Sequence, residues 1–169
     1  MKIILMRHGD AEIGGVDSKR RLSEEGRREA CLAGEFLLRL GETPGAILHS
    51  ELRRSAQTAE IVARRLGSGV RTSLCHGLLP GDPVSSFADR LLEEQDDVMA
   101  VGHQPFVSSL AAFLLTGTQD GLRIKFPTGA LASLERLPEP SGSSGVPCYS
   151  LRFHATAKSI SRLVGGWDR

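Results

Sequence analysis

A length of 169 residues suits one domain with a sizeable core and would make two cramped, and the 40% hydrophobic and 24% charged fractions are ordinary for a soluble globular chain. Lys and Arg number 21 against 20 Asp and Glu, so no basic surplus calls for nucleic acid as a partner. Cys31, Cys75 and Cys148 form no CxxC pair, and no apolar run or leader pattern reads as a membrane span or signal peptide. A disulfide framework and a membrane partner are excluded on this reading, and a cytoplasmic location is expected.

Ile3 to Met6 is an unbroken apolar run with the character of a strand buried on both faces. It empties into Arg7-His8-Gly9-Asp10, delivering ionisable side chains to a sheet edge, where open α/β sheets place their ligands. Gly9 lets a ligand approach the backbone closely. Ala11 to Arg21 reads as a Gly-rich, charged loop. Ser23, followed by Glu24 and Glu25, is the expected N-cap of a helix burying Ala30, Ala33, Leu37 and Leu40, which Gly41 ends. Ala46 to His49 is a second buried strand. Ser50 is then expected to cap a helix from Arg53 to Leu66, with Ala56, Ala59, Ala63 and Leu66 on one face. Its first turn carries Arg53 and Arg54, and cations there oppose the helix dipole by about 0.3–1 kcal/mol each. A rule broken in this way marks an anion site, with Arg54 as its pointer and Arg53 turned to water.

Val70 to Cys75 predicts a third, weaker strand. Asp82 as N-cap and Pro83 at the first helical position open a helix burying Val84, Phe87, Ala88 and Leu91. Val98 to Val101 is a fourth buried strand ending in Gly102-His103-Gln104-Pro105, and Pro105 starts a helix with Phe106, Val107, Leu110, Ala111 and Leu114 apolar. Two strands remain, one at Arg123–Phe126 or Ala130–Leu137 and one at Tyr149–Ala155. Pro138 to Pro147 between them, rich in Pro, Ser and Gly, reads as an exposed loop. The tail, residues 156–169 with Trp167, shows little periodicity. Strand and helix alternate, which predicts a single domain over residues 1–169: an α/β fold with three α/β/α layers and a largely parallel central sheet.

In a parallel sheet Arg7-His8, Ser50 to Arg54, the Leu78–Asp82 loop and His103 all gather at one carboxyl edge. Two histidines and at least two arginines meet there, with Asp10 and Asp82 the only nearby acids on these loops. A metal site would want more His, Cys, Asp or Glu ligands and would be repelled by the arginines, so no metal is expected. Neither a G-x-S-x-G elbow nor a Walker-type loop is present. What remains is a site for a dense anion, phosphate above all, with imidazole as nucleophile and no cofactor. His49 and His154 read as packed, structural histidines, and Glu12, Asp17 and the Glu24-Glu25 pair as solvated charges.

Arg7-His8-Gly9, Ser50-x-x-x-Arg54-x-x-Gln57-Thr58 and Gly102-His103 together resemble the histidine phosphatase (phosphoglycerate mutase-like) superfamily. Arg20-x-Leu22-Ser23-x-x-Gly26, Leu79-Pro80-Gly81-Asp82 and Val101-Gly102-His103-Gln104-Pro105 are similar to its SixA-type phosphohistidine phosphatase branch. The resemblance covers roughly residues 2 to 135, and it rests on four motifs in order, each after a strand. It implies that His8 attacks phosphorus, that Arg7, Arg54 and His103 hold the phosphoryl oxygens, and that Arg20, Gly9 and Ser50 contact phosphate or substrate. It implies a partner that is either a phosphorylated protein of the histidine phosphotransfer type or a small phosphorylated metabolite. Many members carry a glutamate general acid where this chain has His76-Gly77-Leu78, which leaves Asp82 or His76 to serve. Loss of a general acid costs about 10²–10⁴ in rate and hurts an alkyl phosphate most, so phosphohistidine is the expected substrate. A non-catalytic phosphate- or phosphoprotein-binding module is the alternative of another class. The sequence carries no signal for the oligomeric state.

Overall fold

The computed structural model describes residues 1–138 and 149–166. The expected loop falls almost wholly outside these residues, as do Cys148 and Trp167. The chain runs β1 (Lys2–Arg7), α1 (Glu24–Leu40), β2 (Ala46–His49), α2 (Arg53–Leu66), β3 (Arg71–Leu74) and α3 (Val84–Glu93). It continues through β4 (Val98–Gly102), α4 (Phe106–Thr116), β5 (Leu131–Arg136), β6 (Tyr149–Ala155) and α5 (Ala157–Gly166). The sheet order is β3-β2-β4-β1-β5-β6, with the first four strands parallel and β5 and β6 antiparallel. This is the three-layer, largely parallel α/β/α fold of the expectation.

Period-two alternation along the buried strands sends side chains into two cores. Ile3, Leu5, Val98 and Ala100 face one layer with Phe87 and Leu91 of α3 and Phe106 and Leu110 of α4. Ile4, Met6, Met99 and Val101 face the other with Leu37 of α1, Val62 of α2 and Ile160 of α5. β3 lies at the sheet edge with every residue exposed, which is why its sequence signal is weak. No helix among the described residues is long and apolar enough to cross a membrane.

Several local expectations are corrected. Ser23 does cap α1, accepting from the Gly26 amide at 3.1 Å, but Leu40 lies outside the buried stripe. Ser50 does not cap α2: Leu52 occupies that position in an extended conformation, and Ser50 stands two residues before it. Pro83, not Asp82, is the N-cap of α3, because its own backbone is still extended. The Asp82 carboxylate instead accepts from the Leu79 amide at 2.7 Å, closing its loop. Of the two alternatives before β6, the strand is Leu131–Arg136, and 123–126 runs without ladder pairing. The tail holds α5, which packs on α1 through Ile160 and Val164. Two core positions in a ten-residue helix ending in Gly165-Gly166 give too few periods to read.

One close approach positions everything near His8. A Cβ built on Gly26, in the first turn of α1, would run into the Asp10 carbonyl, and one on Gly9 would run into the Gly26 carbonyl. The two glycines let the loop after β1 lie directly against α1, where the Ser23 amide donates to the Asp10 carbonyl at 3.0 Å. Gly26→Ala is expected to destabilise the fold by about 1–3 kcal/mol, the usual cost of overpacking, and to lower the urea midpoint accordingly. An unchanged midpoint would mean that loop and helix can part freely.

Candidate active site

β1 sits between β4 and β5, and its carboxyl end is stitched to both: the His8 amide donates to the Gly102 carbonyl at 3.1 Å and the Gly129 amide to the His8 carbonyl at 3.2 Å. Above this end opens a cavity of about 220 Å³, lined among others by Arg7, His8, Asp10, Arg20, Arg54 and His103. Sequence reasoning placed these loops at one edge, and the structure brings Arg7, His8, Arg20, Arg54 and His103 to one cavity.

His8 is buried, and its Nδ1 lies 2.7 Å from the Gly9 carbonyl. A carbonyl only accepts, so Nδ1 carries the proton and Nε2 keeps its lone pair. Arg54 Nε donates to that lone pair at 3.2 Å. Burial lowers the His8 pKa from 6.5 to about 4, with the charges of Arg54, Arg7 and Arg20 adding to it and the Gly9 hydrogen bond opposing. Burial is thus the larger cause, ahead of the three arginines.

His103 packs against His8 with ring centroids 4.8 Å apart. Its Nε2 lies 2.6 Å from Ser50 Oγ, and its Nδ1 is buried without a hydrogen-bond partner among the described residues. Ser50 Oγ already accepts from the Leu52 amide at 3.3 Å, so we assign its hydroxyl proton to His103 Nε2. On that assignment Nδ1 is the protonated nitrogen, free to donate. Burial first, then neighbouring His8 and Arg54, lowers the His103 pKa to about 3.

The N-terminal half of α2 organises this arrangement, each motif residue holding a different piece. Arg54 reaches His8, Gln57 Oε1 accepts from the Leu22 amide at 2.9 Å, and Thr58 Oγ1 accepts from the Gly9 amide at 3.1 Å. Arg54 is buried while Arg53 is exposed, as the dipole argument anticipated. Its guanidinium donates to both carboxylate oxygens of Asp17 at 3.2 Å and to the Asp17 carbonyl at 2.9 Å. Asp17 was expected to be a solvated charge; it is the counterion of Arg54, whose hydrogen bond lowers the Asp17 pKa. Arg20 donates to Asp17 Oδ1 at 3.2 Å and to the Glu12 carbonyl at 2.6 Å. Arg7 donates to the Phe126 carbonyl at 3.0 Å.

The remaining expected residues lie elsewhere. Ser50 is 1% exposed and absent from the cavity wall, so it meets His103 rather than the cavity. The Gly9 amide is taken by Thr58. Neither Asp82 nor His76 lines the cavity, and His76 is largely exposed with its Nδ1 3.3 Å from Glu51. The carboxylate that does line it is Asp10, which accepts from the Ser23 hydroxyl at 2.6 Å. Glu29 was missed. It is buried, accepts from the Asp10 amide at 2.8 Å and the Thr128 hydroxyl at 3.0 Å, and burial raises its pKa. Its position on the buried stripe of α1, beside Gly26, Ala30 and Ala33, was the available signal. Among the described residues no three His, Cys, Asp or Glu side chains group as ligands for a metal ion.

Known proteins resemble this chain in sequence and in fold. The profile of the histidine phosphatase superfamily (branch 1) matches residues 3–78. A 2,3-bisphosphoglycerate-dependent phosphoglycerate mutase of Corynebacterium glutamicum is 42% identical over 67 residues, which are 36% of this chain and 26% of that protein. The match therefore spans only about a quarter of that relative's length. The solved structure of the protein histidine phosphatase SixA complexed with tungstate superposes with a TM-score of 0.82 at 26% identity, covering 95% of this chain and 99% of that one. A SixA-type protein of Agrobacterium tumefaciens gives 0.74 at 22% identity, over 92% and 97%, which speaks for the fold. Residues 3–78 thus carry the sequence pattern of the histidine phosphatase superfamily. Over nearly the whole chain the fold resembles that of the SixA structures.

Both histidine pKa values are lowered, so below pH 6.5 the unfolded chain takes up protons that the folded chain refuses. Their contribution to stability is complete above pH 6.5 and is lost as pH falls towards about 4 for His8 and about 3 for His103. His8→Asn is expected to flatten the dependence of the urea midpoint on pH between about 4 and 6.5. Parallel curves for parent and variant would mean that His8 titrates normally in the folded chain.

Proposed function

We propose that the protein is a phosphatase that removes the phosphoryl group from phosphohistidine on another protein, through a covalent phosphohistidine at His8, within a single domain. The observation that carries this reading is the state of the His8 ring: neutral, proton on Nδ1, and lone pair on Nε2 beside the Arg54 guanidinium. The free Nε2 electron pair forms the bond to phosphorus while the bond from phosphorus to the donor imidazole breaks. The donor ring leaves neutral once solvent has protonated its other nitrogen. His8 becomes a phosphorylated imidazolium whose Nδ1–H remains on the Gly9 carbonyl. Water then attacks phosphorus, the electron pair returns to Nε2, and the water proton leaves to solvent. Arg7, Arg54 and His103 Nδ1–H face the phosphoryl oxygens, where fixed donors usually make the largest contribution to rate. Arginine supplies the positive charge here, so metal independence is part of the proposal.

The likeness to the protein histidine phosphatase SixA over nearly the whole of both chains supports a protein phosphohistidine as substrate. The cavity chemistry supports it too, because Asp10, the carboxylate that lines the cavity, is already engaged by the Ser23 hydroxyl at 2.6 Å rather than held free for a leaving alkoxide. Were Asp10 to act as an acid, a small phosphorylated metabolite would be the alternative substrate.

Phosphate release from a phosphohistidine-bearing protein, unaffected by EDTA and abolished in His8→Ala, is the expected result. Turnover of alkyl phosphates at comparable rates would overturn the substrate class, and phosphate binding with no turnover of anything would indicate a binding module. Arg54→Ala is expected to lower kcat by about 10²–10³, as removal of a transition-state donor does. Ser50→Ala is expected to cost about tenfold in kcat with KM nearly unchanged, since Ser50 reaches the cavity through the His103 ring. A Ser50→Thr variant retaining the hydroxyl should recover most of that loss.

A further inference from the structure

Beside the phosphoryl cavity lies a second one of about 880 Å³, and Arg7 and Gln104 line both. One wall is the segment 122–126, extended between α4 and β5. Its carbonyls are pinned one after another. Ser108 Oγ donates to the Ile124 carbonyl at 2.8 Å, and the His154 ring bonds the Lys125 carbonyl. Arg7 and Gln104 donate to the Phe126 carbonyl at 3.0 and 3.3 Å. The wall is therefore preformed and tied to the same arginine that reaches the phosphoryl cavity.

Its surface is apolar with a basic bias. Leu122 and Leu151 are 41% and 45% exposed on it, Phe126 is buried behind, and among the described residues no carboxylate lines it. Arg123 and Lys125 are exposed and make no ion pair among the described residues. A phosphoryl group alone is served by the smaller cavity. What lies beyond Arg7 must accommodate whatever carries that group. We propose that this larger cavity binds the segment of the phosphorylated protein that flanks its phosphohistidine, and that the segment is both apolar and acidic. The apolar side chains cover Leu122 and Leu151, and carboxylates meet Arg123 and Lys125. The proposal rests on the phosphohistidine reading given above and adds to it the chemistry of the donor protein.

The test uses three substrates phosphorylated on histidine with phosphoramidate: Nα-acetylhistidine, a peptide with leucine and glutamate flanking one histidine, and a peptide with serine and lysine in their place. The acidic, apolar peptide is expected to exceed both others in kcat/KM by about 10- to 100-fold. The double variant Arg123→Glu, Lys125→Glu should erase that preference while turnover of phosphorylated acetylhistidine stays unchanged. Equal kcat/KM on the two peptides would overturn the proposal and leave the activity standing, as would a variant that slows all three substrates alike. If none of the three is hydrolysed, the phosphohistidine reading itself falls and this proposal with it.

Discussion

A hydrogen bond from a histidine to the carbonyl of the next residue fixes the chemistry of this protein. By holding the proton on Nδ1, the Gly9 carbonyl leaves Nε2 as the only basic nitrogen of His8. The same bond favours the imidazolium that forms when Nε2 takes a phosphoryl group, so one contact serves the resting ring and the proposed intermediate. The carbonyl stays in place because Gly9 is held on two sides, by Thr58 through its amide and by the glycine-to-glycine approach to α1. A side chain at either glycine would push the loop out and carry the ring with it.

Arg54 shows how the fold tolerates a cation in the wrong half of a helix dipole. It is buried in the first turn of α2, a position that costs stability unless the charge has a partner. Asp17, reaching in from the loop after β1, is that partner, and it orients the guanidinium so that Nε points at His8. In the proposed reaction an arriving phosphoryl group shares Arg54 with Asp17. On that reading the site grips its product less tightly than an unpaired Arg54 would, which suits release of phosphate after every cycle.

The strands and the buried faces of the helices could be read from the sequence because they obey fixed periods, and the parallel topology then placed four separated loops at one edge. Arg54 was legible for a different reason, since it broke a rule of helix electrostatics. What the sequence hid lay in side chains whose partners come from distant segments. Asp17 reads as a loop acid until Arg54 is seen 37 residues away, and Ser50 reads as a cap until His103 is seen 53 residues away. Glu29 was hidden by its own type, a carboxylate on an apolar stripe. α5 escaped because two buried positions do not make a period, and its place is set by packing on α1 rather than by its own pattern.

The direction of β5 divides the molecule's connections into two kinds. Because β5 runs antiparallel to β1, the segment entering it at Leu131 arrives at the His8 edge, while its far end at Arg136 and the start of β6 at Tyr149 lie near Lys2, at the opposite edge. Arg136 and Tyr149, between which the two strands are connected, thus lie a full strand length from His8. A label or a surface tether joined at Arg136 or Tyr149 would stand clear of the His8 edge. The chain between α4 and β5 is placed differently, since its Phe126 carbonyl holds Arg7 and its Ile124 carbonyl holds Ser108, and lengthening it would disturb the His8 edge itself.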